Sequence, residues 1–222
     1  AYRPVLYIPS KEEVKELLQK MDIRTSHNSE QFRLDRECKI LFLLYFCCGL
    51  RLSEGRLLKW EHIDLDKGIL TVLGSKGNKD RLVYLPQDSL PVLKNYKERQ
   101  EMLFPGIDWA FPGKDPHKPV SCSGVESSFN RHWAMLPVAR TVDKHPTPHC
   151  LRHAFVVERF NEWMHQGIDT NTMLPYLSRY LGHKSPDETY YYYHLAGKAF
   201  DTIREKDSVS GKVIPEVIPY EE

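Results

Sequence analysis

The chain has 222 residues, of which 41% are hydrophobic and 27% are charged, as in an ordinary globular domain with its own core. Its longest apolar run, ILFLLYFCCGL at 40–50, is too short to cross a bilayer, and no basic-then-apolar segment opens the chain, so we expect neither a membrane span nor a secretion signal. The formal net charge of +1 does not by itself indicate a nucleic-acid-binding protein.

Charge and cysteines are nevertheless unevenly placed. SKGNKDR (75–81) and SRYLGHK (178–184) are basic runs, each of which alone would be an ordinary solvated surface. Five cysteines, with Cys47 and Cys48 adjacent in the apolar run, favour reduced thiols in a cytoplasmic protein. Because there is no second cysteine pair, we interpret Cys47 and Cys48 as core residues and not as a redox or metal motif.

The predicted elements give a mainly α domain with a small antiparallel β-sheet, an α+β fold. SKEE (10–13) is a capping box that begins a helix to about Lys20. A loop at 25–30 precedes a long buried helix at 34–48, which Gly49 ends. Ser53 is expected to cap the next short helix, which leaves Arg51 in the turn between the two helices.

The middle of the chain predicts a β-hairpin. GILTVL (68–73) and RLVYL (81–85) alternate and are rich in β-branched residues, and the turn sequence GSKGNKD lies between them. Lys76 is therefore placed near the hairpin tip. Beyond it we predict a helix at 87–102, a short strand at 109–111 and a helix at 123–136.

The last third predicts three helices and a tail. The first begins near His149 and ends at Gly167, and the second ends at Gly182. Ser185 and Pro186 then begin a third helix that runs to about 205 and carries four consecutive tyrosines, 190–193. Residues 208–222 contain two prolines and no helical period, and we expect an extended tail.

Three polar groups lie beside apolar segments: Arg51 with Glu54, the group at 149–153, and His183. His149 and His153 share a helical face and could bind zinc, but the cation of Arg152 between them opposes a metal. Together the groups form a cationic, donor-rich cluster of the kind that holds a phosphate and stabilises added charge on it. A tyrosine could then attack the phosphorus.

Four motifs carry a family resemblance: GLRLSEGRLLKW, GSKGNKDRLVYLP, HCLRHAF and LGHKSPDETYYYYH. In this order they resemble the tyrosine recombinases, the phage-integrase type of site-specific recombinase, over about residues 8–205. The resemblance implies the catalytic-domain fold of that family over 1–207. The chain opens on AYRPVLYIPSKEEV, similar to the start of that domain, so we expect the N-terminal core-binding domain to be absent.

The resemblance also implies roles for individual residues. The catalytic set comprises Arg51, Lys76, His149, Arg152 and His183, with Glu54 and His153 in support. The nucleophile usually follows the Leu-Gly-His histidine by nine residues and precedes another histidine by two, and both counts give Tyr192. Successive helical residues point about 100° apart, so one tyrosine is expected to serve, with Tyr191 or Tyr193 as the alternatives. Lys79, Arg81 and Lys184 are expected to contact DNA.

The implied activity is cleavage and rejoining of DNA strands through a 3′-phosphotyrosine and a Holliday junction. The phosphotyrosine retains the bond energy, so no metal or other cofactor is expected. The implied partners are double-stranded DNA, three further copies in a homotetramer, and accessory DNA-bending proteins. Two alternatives are a type IB topoisomerase-like enzyme that relaxes DNA, and a non-catalytic DNA-binding protein of the same fold.

Overall fold

A computed structural model describes residues 7–24, 27–75 and 79–192. The described residues form eight α-helices and one three-stranded sheet. This agrees with the predicted α+β class. In these ranges no helix combines the length and the apolar character needed to cross a membrane.

The first two helices begin at side-chain caps. Helix α1 (Lys11–Lys20) has the predicted capping box, in which Ser10 and Glu13 each bond the other's backbone amide. Helix α2 (Ser29–Cys48) begins five residues earlier than predicted. The reason is Asn28, whose side-chain oxygen accepts the amides of residues 30 and 31, so that part of the expected loop is helical.

Helix α3 (Leu52–Arg56) corrects the prediction that Ser53 is its cap. The N-cap position belongs to Arg51, and Ser53 lies inside the helix. The carboxylate of Glu54 takes the capping role, because its Oε2 accepts the Arg51 amide at 2.7 Å. Arg51 thus stands at the junction of two helices, as the sequence indicated.

The sheet is antiparallel with the order β1-β2-β3. Strands β2 (Ile69–Ser75) and β3 (Lys79–Tyr84) confirm the hairpin, and β1 (Ile63–Asp64) is a short strand that the sequence prediction omitted. The β2–β3 register shifts between Val72 and Ser75, beside the hairpin turn. Lys76 lies outside the described residues.

The next elements are α4 (Ser89–Leu103) and α5 (Cys122–Trp133). The predicted strand at 109–111 is wrong in detail. Single bridges join Lys59 to Trp109 and Pro112 to Pro119 instead. A continuous strand is disfavoured there because prolines supply no amide donors.

Helix α6 (His149–His165) and helix α7 (Thr170–Leu181) agree with the predicted pair. Helix α8 spans Asp187–Tyr190 in the described residues and begins close to the predicted start. Tyr191 and Tyr192 lie in a turn after it, and the rest of the predicted helix, with the tail, lies outside the described residues.

Two apolar clusters stabilise the fold. The larger brings together α1, α2, the sheet, α4 and α5 through side chains such as Leu17, Phe42, Leu70, Leu93 and Phe129, all fully buried. Each such side chain contributes about 1.5–3 kcal/mol on burial. The smaller cluster lies between α6 and α7 and includes Tyr192. The polar residues described next lie where α2, α6 and α7 meet.

Candidate active site

Two helix C-termini form the floor of the site. Gly49 ends α2 with φ 63°, and Gly182 ends α7 with φ 66°, both in the left-handed region that favours glycine. A Cβ at Gly49 would also lie 2.6 Å from a ring carbon of Phe155. These turns leave carbonyl oxygens at the helix ends, where the helix dipole is negative and cations are favoured.

Arg152 extends from α6 across both helix ends. Its Nη1 donates to the carbonyl of Gly49 at 2.6 Å, and its Nη2 donates to the carbonyl of Leu181 at 2.8 Å. Its side chain is 3% exposed. Burial, followed by the nearby charge of Arg51, lowers the pKa of Arg152 to about 10, so it stays cationic at neutral pH.

Arg51 reaches the same floor from the start of α3. Its Nη1 donates to Glu54 Oε1 at 2.7 Å, and its Nη2 donates to the carbonyl of Gly182 at 2.6 Å. The two arginines therefore come from segments a hundred residues apart and bind adjacent carbonyls at the end of α7. Their guanidinium planes are fixed by these bonds before any ligand arrives.

Glu54 links Arg51 to a third arginine, Arg81 of β3. Arg81 Nη1 and Nη2 donate to the two carboxylate oxygens at 2.8 and 2.7 Å, and its Nε donates to the carbonyl of Tyr180 at 2.8 Å. Burial raises the pKa of Glu54, but hydrogen bonds from Arg81 and Arg51 outweigh this effect and lower it to about 2. Glu54 is thus ionised throughout the neutral range.

His183 follows Gly182 and contacts the arginine cluster. Its Nε2 lies 3.0 Å from Arg152 Nη2, and its Nδ1 lies 2.7 Å from the Thr189 hydroxyl. Burial, and then the charges of Arg152 and Arg51, lower the pKa of His183 to about 4. The ring is therefore neutral at pH 7.

The tyrosine selected by the histidine spacing lies beside the other two histidines. Tyr192 is 7% exposed, and its hydroxyl lies 2.5 Å from His153 Nδ1. His149 packs edge-on against His153, with ring centroids 4.6 Å apart. Burial, and then neighbouring charges, lower the pKa of both histidines, that of His153 to about 3.

The described residues thus bring six sequence-predicted residues together. They are Arg51, Glu54, His149, Arg152, His153 and His183, with Tyr192 in contact through His153. The cluster holds three positive charges, on Arg51, Arg81 and Arg152, and one negative charge, on Glu54. Its net charge is therefore positive, as needed to bind a phosphate. Such a cluster can stabilise charge on a phosphorane-like state.

The other predicted residues are placed as follows. Lys184 is exposed beside His183. Lys76 and Tyr193 lie outside the described residues, and only the backbone of Lys79 is described, as the first residue of β3. Arg81, expected to contact DNA, is turned inward onto Glu54. In the described ranges no three His, Cys, Asp or Glu side chains gather as a metal site would require.

Two of the polar contacts in the site involve pairs that the sequence prediction did not connect. One is the Arg81–Glu54 pair, which joins the hairpin to α3. Alternation along β3 gives the face on which Arg81 lies, but no local signal pairs it with a carboxylate 27 positions away. The other is the buried hydroxyl of Thr189 on His183. Thr189 lies six residues after His183, and the contact between them can be predicted only when the path of the turn between α7 and α8 is known.

This fold is that of an integrase-type protein, and comparisons with known proteins agree. Residues 10–198 match the model of the phage integrase family. The putative integrase/recombinase y4rB of Sinorhizobium fredii is 30% identical over 205 residues, 86% of this chain and 61% of that protein. The tyrosine recombinase XerA of Pyrococcus furiosus is 32% identical over 162 residues, 72% of this chain and 51% of that protein.

Solved structures share the fold. A XerA recombinase structure superposes with a TM-score of 0.67 at 22% identity, covering 92% of this chain and 64% of that one. The structure of the XerH recombinase bound to a palindromic difH substrate superposes with a TM-score of 0.68 at 21% identity, covering 91% of this chain and 54% of that one. The chain belongs to the phage integrase family, and it spans about half to three-fifths of the length of the curated relatives it matches.

Proposed function

We propose that this chain is the catalytic part of a site-specific DNA recombinase that cleaves and rejoins strands through a 3′-phosphotyrosine and a Holliday junction. The observation that carries the proposal is the convergence of Arg51, Arg152 and His183, from three separate segments, on the ends of α2 and α7. Family membership supports the same conclusion.

In this proposal the scissile phosphate occupies the cationic cluster. Arg51, Arg152 and His183 bind its non-bridging oxygens, and Glu54 keeps the Arg51 guanidinium aligned. Each donor of this kind, aimed at developing charge, is worth about 3–4 kcal/mol in the transition state. Since Arg152 now contacts His183 Nε2, the phosphate takes the place of that contact.

Chemistry then proceeds by in-line displacement. The bond from Tyr192 Oη to phosphorus forms while the bond from phosphorus to the 5′-oxygen breaks. The phenol proton leaves to a neutral histidine, with His149 as the candidate acceptor, and Lys76 protonates the departing 5′-oxygen. Rejoining reverses these transfers, so no external energy source enters the balance.

Two contacts hold Tyr192 in place. Its ring lies in the smaller core cluster and its hydroxyl bonds to His153. We infer that DNA binding exchanges the His153 contact for an approach to the phosphate.

Arg81 is proposed as a positioning residue, since its fork is already bound to Glu54. DNA contact is then left to Lys79 and Lys184, on the hairpin and after α7. The proposed partners are double-stranded DNA in the cytoplasm, a homotetramer assembled on it, and accessory DNA-bending proteins. We propose no cofactor.

The test begins with binding sites selected from random DNA duplexes. A nicked suicide duplex of a selected site should trap the chain as a covalent adduct that survives a denaturing gel. DNA binding without any adduct would favour the non-catalytic alternative, which the inward position of Tyr192 would also suit. Strand exchange between two sites, as opposed to relaxation of a supercoiled plasmid alone, separates a recombinase from a topoisomerase.

A further inference from the structure

The two ring nitrogens of His183 have different partners. Nε2 lies 3.0 Å from Arg152 Nη2, and a guanidinium can only donate, so Nε2 is the acceptor. A neutral imidazole that accepts at Nε2 carries its proton on Nδ1. The Nδ1–H therefore donates to the Thr189 hydroxyl oxygen, 2.7 Å away.

Thr189 is fully buried and contacts the nucleophile segment as well. Its side chain bonds His183, while its backbone carbonyl accepts the amide of Tyr192 at 3.0 Å. Its own amide donates to the carbonyl of Pro186 at 2.9 Å. One residue of α8 thus fixes both the ring of His183 and the start of the turn that carries Tyr192.

We propose that Thr189 is a positioning residue for DNA cleavage: its hydroxyl holds the Nδ1–H of His183 and so keeps Nε2 directed at the phosphate. This inference rests on the function proposed above. When a phosphate oxygen replaces Arg152, His183 takes one proton from solvent at Nε2 and donates it in a hydrogen bond to that oxygen. The Nδ1–H keeps Thr189 as its acceptor throughout.

Several ionisable groups from the elements packed around His183 act on its charge. Arg51, Arg81, Arg152 and His153 oppose a positive imidazolium, and Glu54 favours it. Burial, and then the balance of these charges, lowers the pKa of His183 to about 4. The imidazolium therefore depends on the phosphate charge at Nε2 and on an oxygen acceptor at Nδ1.

The first measurement uses the wild-type chain. In ¹⁵N NMR of histidine-labelled, DNA-free protein at pH 7, His183 should show the Nδ1–H tautomer, with the signal assigned by its loss in His183→Gln. Free histidine favours the Nε2–H tautomer, so an Nε2–H signal from His183 would overturn the inference without any variant at Thr189.

The second measurement compares Thr189→Val with Thr189→Ser. The valine variant keeps the shape and removes the acceptor, so adduct formation at pH 7 should fall about 10- to 100-fold, as for a lost hydrogen bond to a charged group. The alkaline limb of its pH–rate profile should move to lower pH, because the imidazolium is less stable. Thr189→Ser should restore both the rate and the wild-type position of the alkaline limb.

The outcomes separate this inference from the proposed function. If wild type forms an adduct and the valine variant keeps its rate and profile, Thr189 does not position His183. If the valine and serine variants lose activity equally, and the alkaline limb of the pH–rate profile stays where it is in wild type, Thr189 has only a structural role. If wild type binds DNA and never forms an adduct, the proposed function itself fails, while the NMR tautomer still reports on the Thr189–His183 bond.

Discussion

The hydroxyl of Tyr192 lies 2.5 Å from Nδ1 of His153, and the same tyrosine ring is 7% exposed. His153 lies next to Arg152 on α6, so one turn of this helix contacts both the candidate nucleophile and the phosphate-binding cluster. The structure therefore holds Tyr192 close to the site, with its ring packed in the smaller core cluster.

We predict that Tyr192→Phe binds DNA and forms no covalent adduct, because the ring and its packing stay while the attacking oxygen is lost. Tyr190→Phe, Tyr191→Phe and Tyr193→Phe should each retain the adduct and serve as matched controls. The measurement is a denaturing gel with nicked suicide DNA, followed by peptide mapping.

Mapping of the DNA to Tyr191 or Tyr193 would contradict the choice of Tyr192 and leave the enzyme proposal intact. Retention of a full adduct by Tyr192→Phe would have the same meaning.

Acid should destabilise the DNA-free fold through His153. Burial and neighbouring charges lower its pKa from 6.5 to about 3, so below pH 6.5 the unfolded chain binds a proton that the folded chain does not. This histidine should make the free energy of unfolding fall by about 1.4 kcal/mol per pH unit between about pH 6 and pH 4. Urea unfolding at several pH values measures this slope.

His153→Gln should have a shallower slope in that window, whereas His27→Gln, which replaces an exposed histidine, should match wild type. Equal slopes in all three proteins would show that His153 is not held neutral by the fold.

Arg81→Lys should reduce both stability and the rate of adduct formation. Lysine cannot reproduce the two-pronged bond to Glu54, and breaking a buried ion pair costs about 3–5 kcal/mol when one charge is left alone. Because lysine retains the positive charge, we expect the free energy of unfolding of Arg81→Lys to fall by less than this, about 1–3 kcal/mol. Urea unfolding and single-turnover cleavage provide the two readouts.

Arg179→Lys, at an exposed position of α7, is the control and should be near wild type. A lysine variant at 81 with normal stability and cleavage but weakened, salt-dependent DNA binding would support instead the DNA contact expected from the sequence.

Lys76→Ala should slow cleavage far more than it weakens DNA binding. One phosphate contact adds modestly to affinity, whereas loss of a general acid costs about 10²–10⁴ in rate. A DNA substrate with a 5′-thiol leaving group, which needs no protonation, should restore much of the loss.

Lys184→Ala provides the comparison, since an exposed phosphate contact should weaken binding with no thiol rescue. Failure of the 5′-thiol to rescue Lys76→Ala would assign Lys76 to DNA positioning.

Deletion of residues 208–222 should reduce tetramer assembly on DNA and leave single-site binding intact. GKVIPEVIP alternates apolar residues that are too few to form a core, so we predict that this segment packs on a neighbouring copy. Sedimentation of DNA complexes with one site or two measures assembly. If the shortened chain forms tetramers on DNA in the same proportion as wild type, residues 208–222 do not contribute to assembly.

Local sequence rules determined the α+β class and most element types, because caps, glycine stops and alternation act over a few residues. The Ser10 capping box, the Gly49 and Gly182 ends and the hairpin strands are examples. The same rules failed at the Asn28 cap, since an asparagine cap and a polar loop look alike in sequence.

The composition of the site was also predicted from the sequence, through the resemblance of its motifs to the tyrosine recombinases. Only the tertiary structure decided its internal bonds: Arg81 faces Glu54, Arg152 spans two helix ends, and Thr189 holds His183. These contacts join residues from separate elements, and their direction depends on how α2, α6, α7 and β3 pack. At buried positions such as Arg152 and Thr189, water is largely removed as a competing partner, so carbonyls and side chains of the chain itself set the orientation of these groups.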